Sequence, residues 1–208
     1  MLTPTYDLVR DAVKAQGLAW FETPTRPWNA NLVALRTPSR VAGVFDDAIT
    51  WACHDEAGRQ VFACWQATTD PGLTWLQDTT ARADGIAVLV PGQYRGTHLI
   101  RPHANSYDAV CHDGKRPLPV YRDANHDGIV DLGGRVHLDA YGINVHASRT
   151  PRPNFEAMMA LARKSAAAWG NRFTVTLLAW PAPIWPDEVI KGTRPVGRYS
   201  AGCLVHAG

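Results

Sequence analysis

Residues 45–68 read FDDAITWACHDEAGRQVFACWQAT, and they contain two β-forming runs on either side of a short polar segment. The runs are FDDAITWAC (45–53) and QVFACWQAT (60–68), and the HDEAGR segment between them contains Gly58. Two such runs joined by a glycine-containing turn are typical of a β-hairpin. This stretch therefore predicts two adjacent antiparallel strands with Gly58 in the connecting turn.

Further extended segments follow along the chain, and prolines and glycines separate nearly all of them. GIAVLVPGQY (85–94) predicts a buried strand that ends at Pro91-Gly92, and RFTVTLLAW (172–180) predicts another strand. Shorter extended segments are predicted at residues 107–110, 119–121, 135–138 and 141–146. Many short strands between such turns are typical of β-sandwiches and barrels.

Two segments have helical rather than extended periodicity. Residues 5–16 place four apolar side chains on one face, and Gly17 follows as a stop. Residues 154–169 begin at the good N-cap Asn154 and repeat apolar residues at helical spacing as far as Gly170. We therefore predict a single β-rich α+β domain over residues 1–208 with two short helices. Residues 1–40 are expected to form the N-terminal helix and an irregular lead-in.

The composition of the chain argues against several classes of protein. Its 208 residues are 46% apolar, which provides material for a core and argues against disorder. The net charge of +2 argues against a strongly basic nucleic-acid binder. No run approaches the roughly 18 apolar residues of a membrane span, and the N-terminus has no signal-peptide pattern. We therefore expect synthesis in the cytoplasm, no membrane insertion and no nucleic-acid partner.

One of the four cysteines has distinctive neighbours. Ser200-Ala201-Gly202-Cys203 places a thiol after three small residues and before an apolar segment, and no cysteine has the paired spacing of a zinc site. Small residues allow a substrate carbonyl to approach the sulfur, and they leave backbone N–H groups available to stabilise an oxyanion. The segment predicts Cys203 as a nucleophile, and a buried structural cysteine is the alternative.

A nucleophilic thiol needs a base, and His146 is the candidate. It ends the strand-like segment 141–146, in which alternation places Asn144 and His146 on one face and Ile143 and Val145 on the other. A polar face that ends in an imidazole suits a general base. The alternative is a histidine at a strand end that is bonded to a backbone carbonyl.

Together, GINVH (142–146) and SAGC (200–203) resemble the catalytic motifs of the L,D-transpeptidase family, also called YkuD-like. The resemblance implies a β-sandwich-like or barrel-like catalytic domain in which Cys203 is the nucleophile and His146 the base, with Ser200 and Gly202 as motif residues. Members of this family attack a peptide bond of the peptidoglycan stem peptide and form a thioester. They then pass the acyl group to an amine or to water, and no cofactor is implied.

The chain is more similar still to a divergent phage and bacterial branch of this family. The shared motifs are TTDPG (68–72), VPGQY (90–94), VYRDANHDGIVD (120–131) and GNRFT (170–174). The chain departs from the main family in two respects: Ala201 replaces the usual histidine, and His146 and Cys203 are 57 positions apart. The second departure is consistent with a permuted order of segments, in which the 154–169 helix precedes the cysteine.

We also predict five residues that bind or position the substrate: Tyr94, Arg95, Asn144, Arg198 and Tyr199. Tyr94 and Arg95 belong to a basic and aromatic stretch that suits an anionic stem peptide, and an ordinary solvated loop is the alternative. Arg198 is close enough in sequence to Cys203 to stabilise a thiolate. Asn144 is a candidate for orienting His146.

An acidic loop follows the predicted strand at residues 119–121. Asp123, Asn125, Asp127 and Asp131 occupy positions 1, 3, 5 and 9 of a calcium-loop pattern. Position 12 is Gly134 where the pattern requires a bidentate glutamate, and no helix is predicted on either side. We therefore expect an Asx-rich turn rather than a metal site.

The resemblance predicts a cysteine acyltransferase or peptidase: an L,D-transpeptidase, an L,D-carboxypeptidase or an endopeptidase. Its site of action is expected to be the cell wall, the periplasm or a phage particle, where such a hydrolase would be a phage lysin. The alternative is a non-catalytic wall-binding or virion structural module that retains the fold; Ala201 and the segment order favour it. A papain-like peptidase is a third alternative, but its cysteine precedes its histidine in the chain, opposite to the order here.

Overall fold

The computed structural model describes residues 1–23, 25–80, 84–148, 153–193, 195–196, 198, 200 and 202–207. The described residues form four helices and eleven strands. In chain order these are α1 (Tyr6–Ala15), β1 (Asn31–Arg36), β2 (Asp47–His54), β3 (Gln60–Thr68), α2 (Leu73–Leu76), β4 (Ile86–Leu89), β5 (Gly92–His103), β6 (Tyr107–His112), β7 (Leu118–Asp123), β8 (His137–Asp139), β9 (Val145–Ala147), α3 (Pro153–Trp169), β10 (Phe173–Ala179), α4 (Asp187–Lys191) and β11 (Leu204–His206). The prediction of a β-rich α+β chain is confirmed.

Eight of these strands close into a barrel in the order β1-β10-β5-β6-β9-β11-β3-β2. The other three form a small sheet in the order β4-β7-β8. In the barrel, β1 pairs with β10 and β9 pairs with β11 in parallel, and the remaining neighbours are antiparallel. Closure gives each barrel strand two hydrogen-bonded neighbours, so the barrel has no unpaired edge.

The hairpin predicted over residues 45–68 is present as the antiparallel neighbours β2 and β3. Gly58 lies in its turn with a φ of +73°, a conformation that glycine adopts without steric cost. The carboxylate of Asp55 fixes the same turn, because it accepts hydrogen bonds from the backbone N–H groups of Ala57 and Arg59. Local sequence and local hydrogen bonding therefore agree in this part of the barrel.

The two longer helices cover different faces of the barrel wall. Helix α3 adds Phe155, Met158, Met159 and Ala162 to the main core. Helix α1 adds Val9 and Val13 to a second cluster, in which they pack against alternate residues of β1. Leu32 and Ala34 of β1 belong to the main core, so this strand is buried on both faces. None of the helices in the described part of the chain is long and apolar enough to span a membrane.

Several elements differ from the sequence-based expectation. Strand β1 lies in the segment expected to be an irregular lead-in, and its six residues are all buried, so no polar alternation marks it. Strand β5 begins at Gly92, where we expected a strand to end, because backbone pairing with β10 and β6 continues through polar residues. Helices α2 and α4 have four and five residues, too few to show a helical repeat, and so the described residues contain two helices more than predicted.

Candidate active site

Cys203 directly precedes strand β11, which is the parallel neighbour of the strand β9 that contains His146. Val205 of β11 is the cross-strand partner of His146 in β9, and the N–H of Leu204 donates to Asn144 O at 2.9 Å. Because side chains alternate along a strand, Cys203, two residues before Val205, is expected on the same face as His146. Standard strand spacing puts the Cα atoms of Cys203 and His146 about 8 Å apart. Cys203 and Val205 pack in one apolar cluster, in agreement with this alternation. The fold therefore brings the predicted nucleophile and base to adjacent positions.

The thiol of Cys203 lies on the wall of a cleft of about 450 Å³. Its Sγ donates a hydrogen bond to Gly142 O at 3.4 Å. Burial raises the pKa of Cys203 to about 11, and a backbone hydrogen bond from Asn144 opposes this shift only in part. The resting thiol is therefore protonated at neutral pH.

His146 is 4% exposed, and its Nδ1 lies 2.7 Å from Ala147 O. Since a carbonyl oxygen only accepts hydrogen bonds, Nδ1 carries the proton and Nε2 is the unprotonated nitrogen of the neutral ring. Burial, with a smaller contribution from His103, lowers the pKa of His146 to about 4. At neutral pH the ring is therefore an uncharged imidazole whose Nε2 can accept a proton.

Ser200 and Gly202 hold the backbone that leads to the thiol. The buried hydroxyl of Ser200 lies 2.9 Å from both Asp70 O and Cys203 O. Gly202 has a φ of +103°, and a Cβ at this position would lie 2.2 Å from Ala87 O in β4. Because such an approach excludes every side chain, the glycine before the cysteine is required by packing. Both residues therefore position the nucleophile.

A buried ion pair lies beneath this segment. Arg36 Nε is 3.0 Å from Asp70 Oδ1, and Arg36 Nη2 donates to Thr69 O at 2.8 Å. Asp47 accepts hydrogen bonds from the N–H and the hydroxyl of Thr69. Burial raises the pKa of Asp70 to about 7, although Arg36 opposes this shift. The sequence interpretation assigned these residues no role, and the TTDPG motif (68–72) was the only signal for them.

Two of the predicted substrate-binding residues lie near Cys203. The side-chain oxygen of Asn144, the residue before β9, accepts a hydrogen bond from the N–H of His112 in β6 at 2.9 Å. The carbonyl of Arg198 accepts a hydrogen bond from the indole of Trp75, which lines the cleft. Its guanidinium lies 5.6 Å from the centre of the same ring.

Tyr94 and Arg95 are not among the residues that line the cleft. Tyr94 is buried in the main core, where its hydroxyl donates to Val90 O, because the segment is strand β5 rather than a loop. Arg95 is exposed and its Nε donates to Gln93. Tyr199 lies outside the described residues, as does Ala201, which occupies the place of the family's histidine.

The acidic loop is held by its own side chains. Asp123 Oδ2 accepts from the N–H of Asp131, and Asp127 Oδ1 accepts from the N–H of Ile129. The Asn125 amide donates to Asp127 Oδ2 and Asp131 Oδ2, at 3.2 and 3.1 Å. This is the Asx-turn arrangement that we expected. In the described part of the chain, no group of three or more His, Cys, Asp or Glu residues is placed to hold a metal ion.

Comparisons with known proteins yield no relative. No protein-family model, no curated protein and no solved structure matches this chain. The placement of Cys203 and His146 and the sequence motifs are therefore the features of this chain that indicate a function.

Proposed function

We propose that this chain is a cysteine-dependent enzyme of the L,D-transpeptidase type, with a catalytic domain of that family in permuted segment order. Its proposed substrates are peptidoglycan stem peptides, and the acyl acceptor is an amine or water. The observation that supports the proposal is that Cys203, on a cleft wall, directly precedes β11, the parallel neighbour of the strand that contains His146. Because stem peptides lie outside the cytoplasmic membrane, the enzyme would act at the cell wall, in the periplasm or in a phage particle.

The protonation states indicate how such a reaction would begin. The pKa of Cys203 is raised and that of His146 is lowered, so no thiolate–imidazolium pair exists before substrate binds. The proton therefore moves from Sγ to His146 Nε2 as the sulfur attacks the peptide carbonyl. For this step the thiol leaves its hydrogen bond to Gly142 O and turns toward the imidazole.

The remaining steps follow from this transfer. The carbonyl oxygen becomes an oxyanion, for which we assign the backbone N–H groups of Gly202 and Cys203 as donors. Collapse of the tetrahedral intermediate breaks the C–N bond, and His146 returns its proton to the departing amine, leaving a thioester on Cys203. An incoming amine or water then loses a proton to His146 as it attacks the thioester, and Cys203 leaves as a protonated thiol.

Purified muropeptides incubated with the protein and separated by mass provide the test. The wild-type chain should cleave or cross-link them, whereas Cys203→Ala and His146→Gln should each lose turnover by about a hundredfold or more. Cys64→Ala is the matched control, because this thiol is partly buried in another cluster, and it should retain activity. Full activity in a folded Cys203→Ala variant would exclude the proposed mechanism.

A second candidate is a non-catalytic wall-binding or virion module. The observation that favours it is the neutral, hydrogen-bonded state of the Cys203 thiol beside a deeply buried His146. Such a module would sediment with purified sacculi without releasing products, and iodoacetamide would label Cys203 no faster than Cys64 at neutral pH. An enzyme would release products, and its thiol would form a covalent adduct with a stem-peptide acyl donor.

A further inference from the structure

One arginine shares the cleft with Cys203. Arg122 of β7 is the cross-strand partner of Ala87 in β4, and both residues line the cleft together with the thiol. Ala87 is also the residue against which Gly202 packs. The small sheet therefore places a guanidinium group and the nucleophile on the walls of a single cleft.

The guanidinium is held from several sides, but its Nε–H has no hydrogen-bond partner among the described residues. Nη2 lies 3.0 Å from Asp84 Oδ2, Nη1 donates to Gly85 O at 2.9 Å, and the group lies 4.7 Å from the centre of the Tyr141 ring. Only 9% of the Arg122 side chain is exposed. The Nε atom itself is buried. Buried donors rarely remain unpaired, so this N–H indicates a missing acceptor.

We propose that the Arg122 guanidinium binds a carboxylate of the peptide in this cleft. The inference rests on the proposed function and specifies its substrate: an acyl donor that carries a free carboxylate near the scissile bond. Arginine suits this role because its guanidinium is always charged, planar and matched to carboxylate geometry. The contacts with Asp84, Gly85 and Tyr141 hold the group in place, so little ordering is required when the ligand binds.

The carboxylate already present in the cleft does not supply the acceptor. Asp139 lines the same cleft, but its Oδ1 accepts a hydrogen bond from the N–H of Ala140 at 2.7 Å. The cleft volume of about 450 Å³ lies in the range of small-ligand sites. The walls of the cleft combine apolar and aromatic side chains with the Arg122 guanidinium and the Asp139 carboxylate near the thiol.

Calorimetric binding to the full-length Cys203→Ala protein tests this inference, because that variant binds without turnover. The probes are L-Ala-γ-D-Glu-L-Lys-D-Ala, the same peptide with a terminal carboxamide, and the same peptide with the D-Glu α-carboxylate amidated. One of the two amides should bind at least about tenfold more weakly than the acid. This comparison uses one unchanged protein, so it does not depend on the folding of any further variant.

Two additional variants assign the effect to Arg122. In Arg122→Gln the difference between acid and amide should disappear. In Arg135→Gln it should persist, because Arg135 lines an adjacent cleft that Arg122 also borders but that does not contain Cys203. The inference would be overturned if the three peptides bound equally or if none of them bound. It would also be overturned if the difference between acid and amide persisted in Arg122→Gln or disappeared in Arg135→Gln.

Failure of the Arg122 site can be distinguished from failure of the proposed catalytic function. Carboxylate-dependent binding without turnover by the Cys203-intact protein would retain the Arg122 site and reject the enzyme. Turnover with equal use of acid and amide peptides would retain the enzyme and reject the site.

Discussion

The imidazole of His146 stacks on that of His103, with ring centroids 4.3 Å apart and an angle of 16° between the planes. His103 also contacts the Tyr107 ring, whose hydroxyl donates to Ala147 O, the carbonyl that His146 Nδ1 approaches. The His103 ring and the Ala147 carbonyl thus hold the His146 side chain in a single orientation. A second positive charge beside it would be repelled, so the stack favours the neutral form of His146.

The buried His146 should make stability depend on pH. Its pKa is about 4 in the folded chain and near 6.5 when unfolded, so the unfolded state binds the extra proton between these values. The contribution of the neutral His146 to the free energy of unfolding is complete above about pH 6.5 and is lost as the pH falls toward 4. The free energy of unfolding of the wild type and of His146→Gln can be measured by urea denaturation. The difference between the two values should shrink by about 3 kcal/mol as the pH falls from 6.5 to 4.

The difference between the two proteins is the quantity to measure. Burial lowers the pKa values of His98 and His206 to about 4, and it raises the pKa of Asp46 to about 6. These groups titrate in both proteins and cancel in the difference. A difference independent of pH would contradict the assignment of a neutral, buried His146.

Replacement of Gly202 by alanine should destabilise the fold. The new Cβ would lie 2.2 Å from Ala87 O, and the backbone has a φ of +103°. We expect Gly202→Ala to lower the free energy of unfolding by at least about 2 kcal/mol, measured by urea denaturation. Gly133→Ala is the control, because its Cβ would meet no atom within 4 Å, and it should cause little change. Equal stability of the two variants would rule out the close packing of Gly202 on β4.

Removal of Arg36 should leave buried carboxylates without their cation. We expect Arg36→Met to cost about 3–5 kcal/mol of unfolding free energy, because its partner Asp70 remains buried. The loss should be larger at pH 8 than at pH 5, since the pKa of Asp70 is already raised to about 7 and a protonated carboxyl needs no partner. Arg59→Met removes an exposed ion pair with Asp55 and should change little. A similar loss in both variants would contradict this account.

Calcium should not stabilise the protein. The Asn125 amide donates to Asp127 and Asp131 where a calcium loop would present oxygen atoms to the ion, and Gly134 supplies no carboxylate. We expect the same Tm in EDTA and in millimolar calcium, with magnesium at equal ionic strength as the control. A Tm that rises with calcium concentration but not with magnesium would reveal a site in this loop.

Local patterns in the sequence predicted the strands and helices that bury one face or that are followed by a glycine. Strands β2 and β3 with the turn at Gly58, and helices α1 and α3 followed by Gly17 and Gly170, are confirmed. Strand β1 could not be predicted in this way, because both of its faces are covered by apolar side chains. The role expected of Tyr94 as a surface residue depended on a loop, and the chain forms β5 there.

For the candidate site too, the sequence indicated some features and only the tertiary structure determined the others. Sequence motifs alone indicated Cys203, His146, Ser200 and Gly202, since small residues beside a thiol and a histidine at a strand end are local features. Only barrel closure, which pairs β9 with β11, determined that the two catalytic candidates are neighbours. The cleft, the unpaired N–H of Arg122 and the shifted pKa values likewise depend on the tertiary structure. Burial and cross-strand contacts join residues far apart in the chain, and no local pattern encodes them.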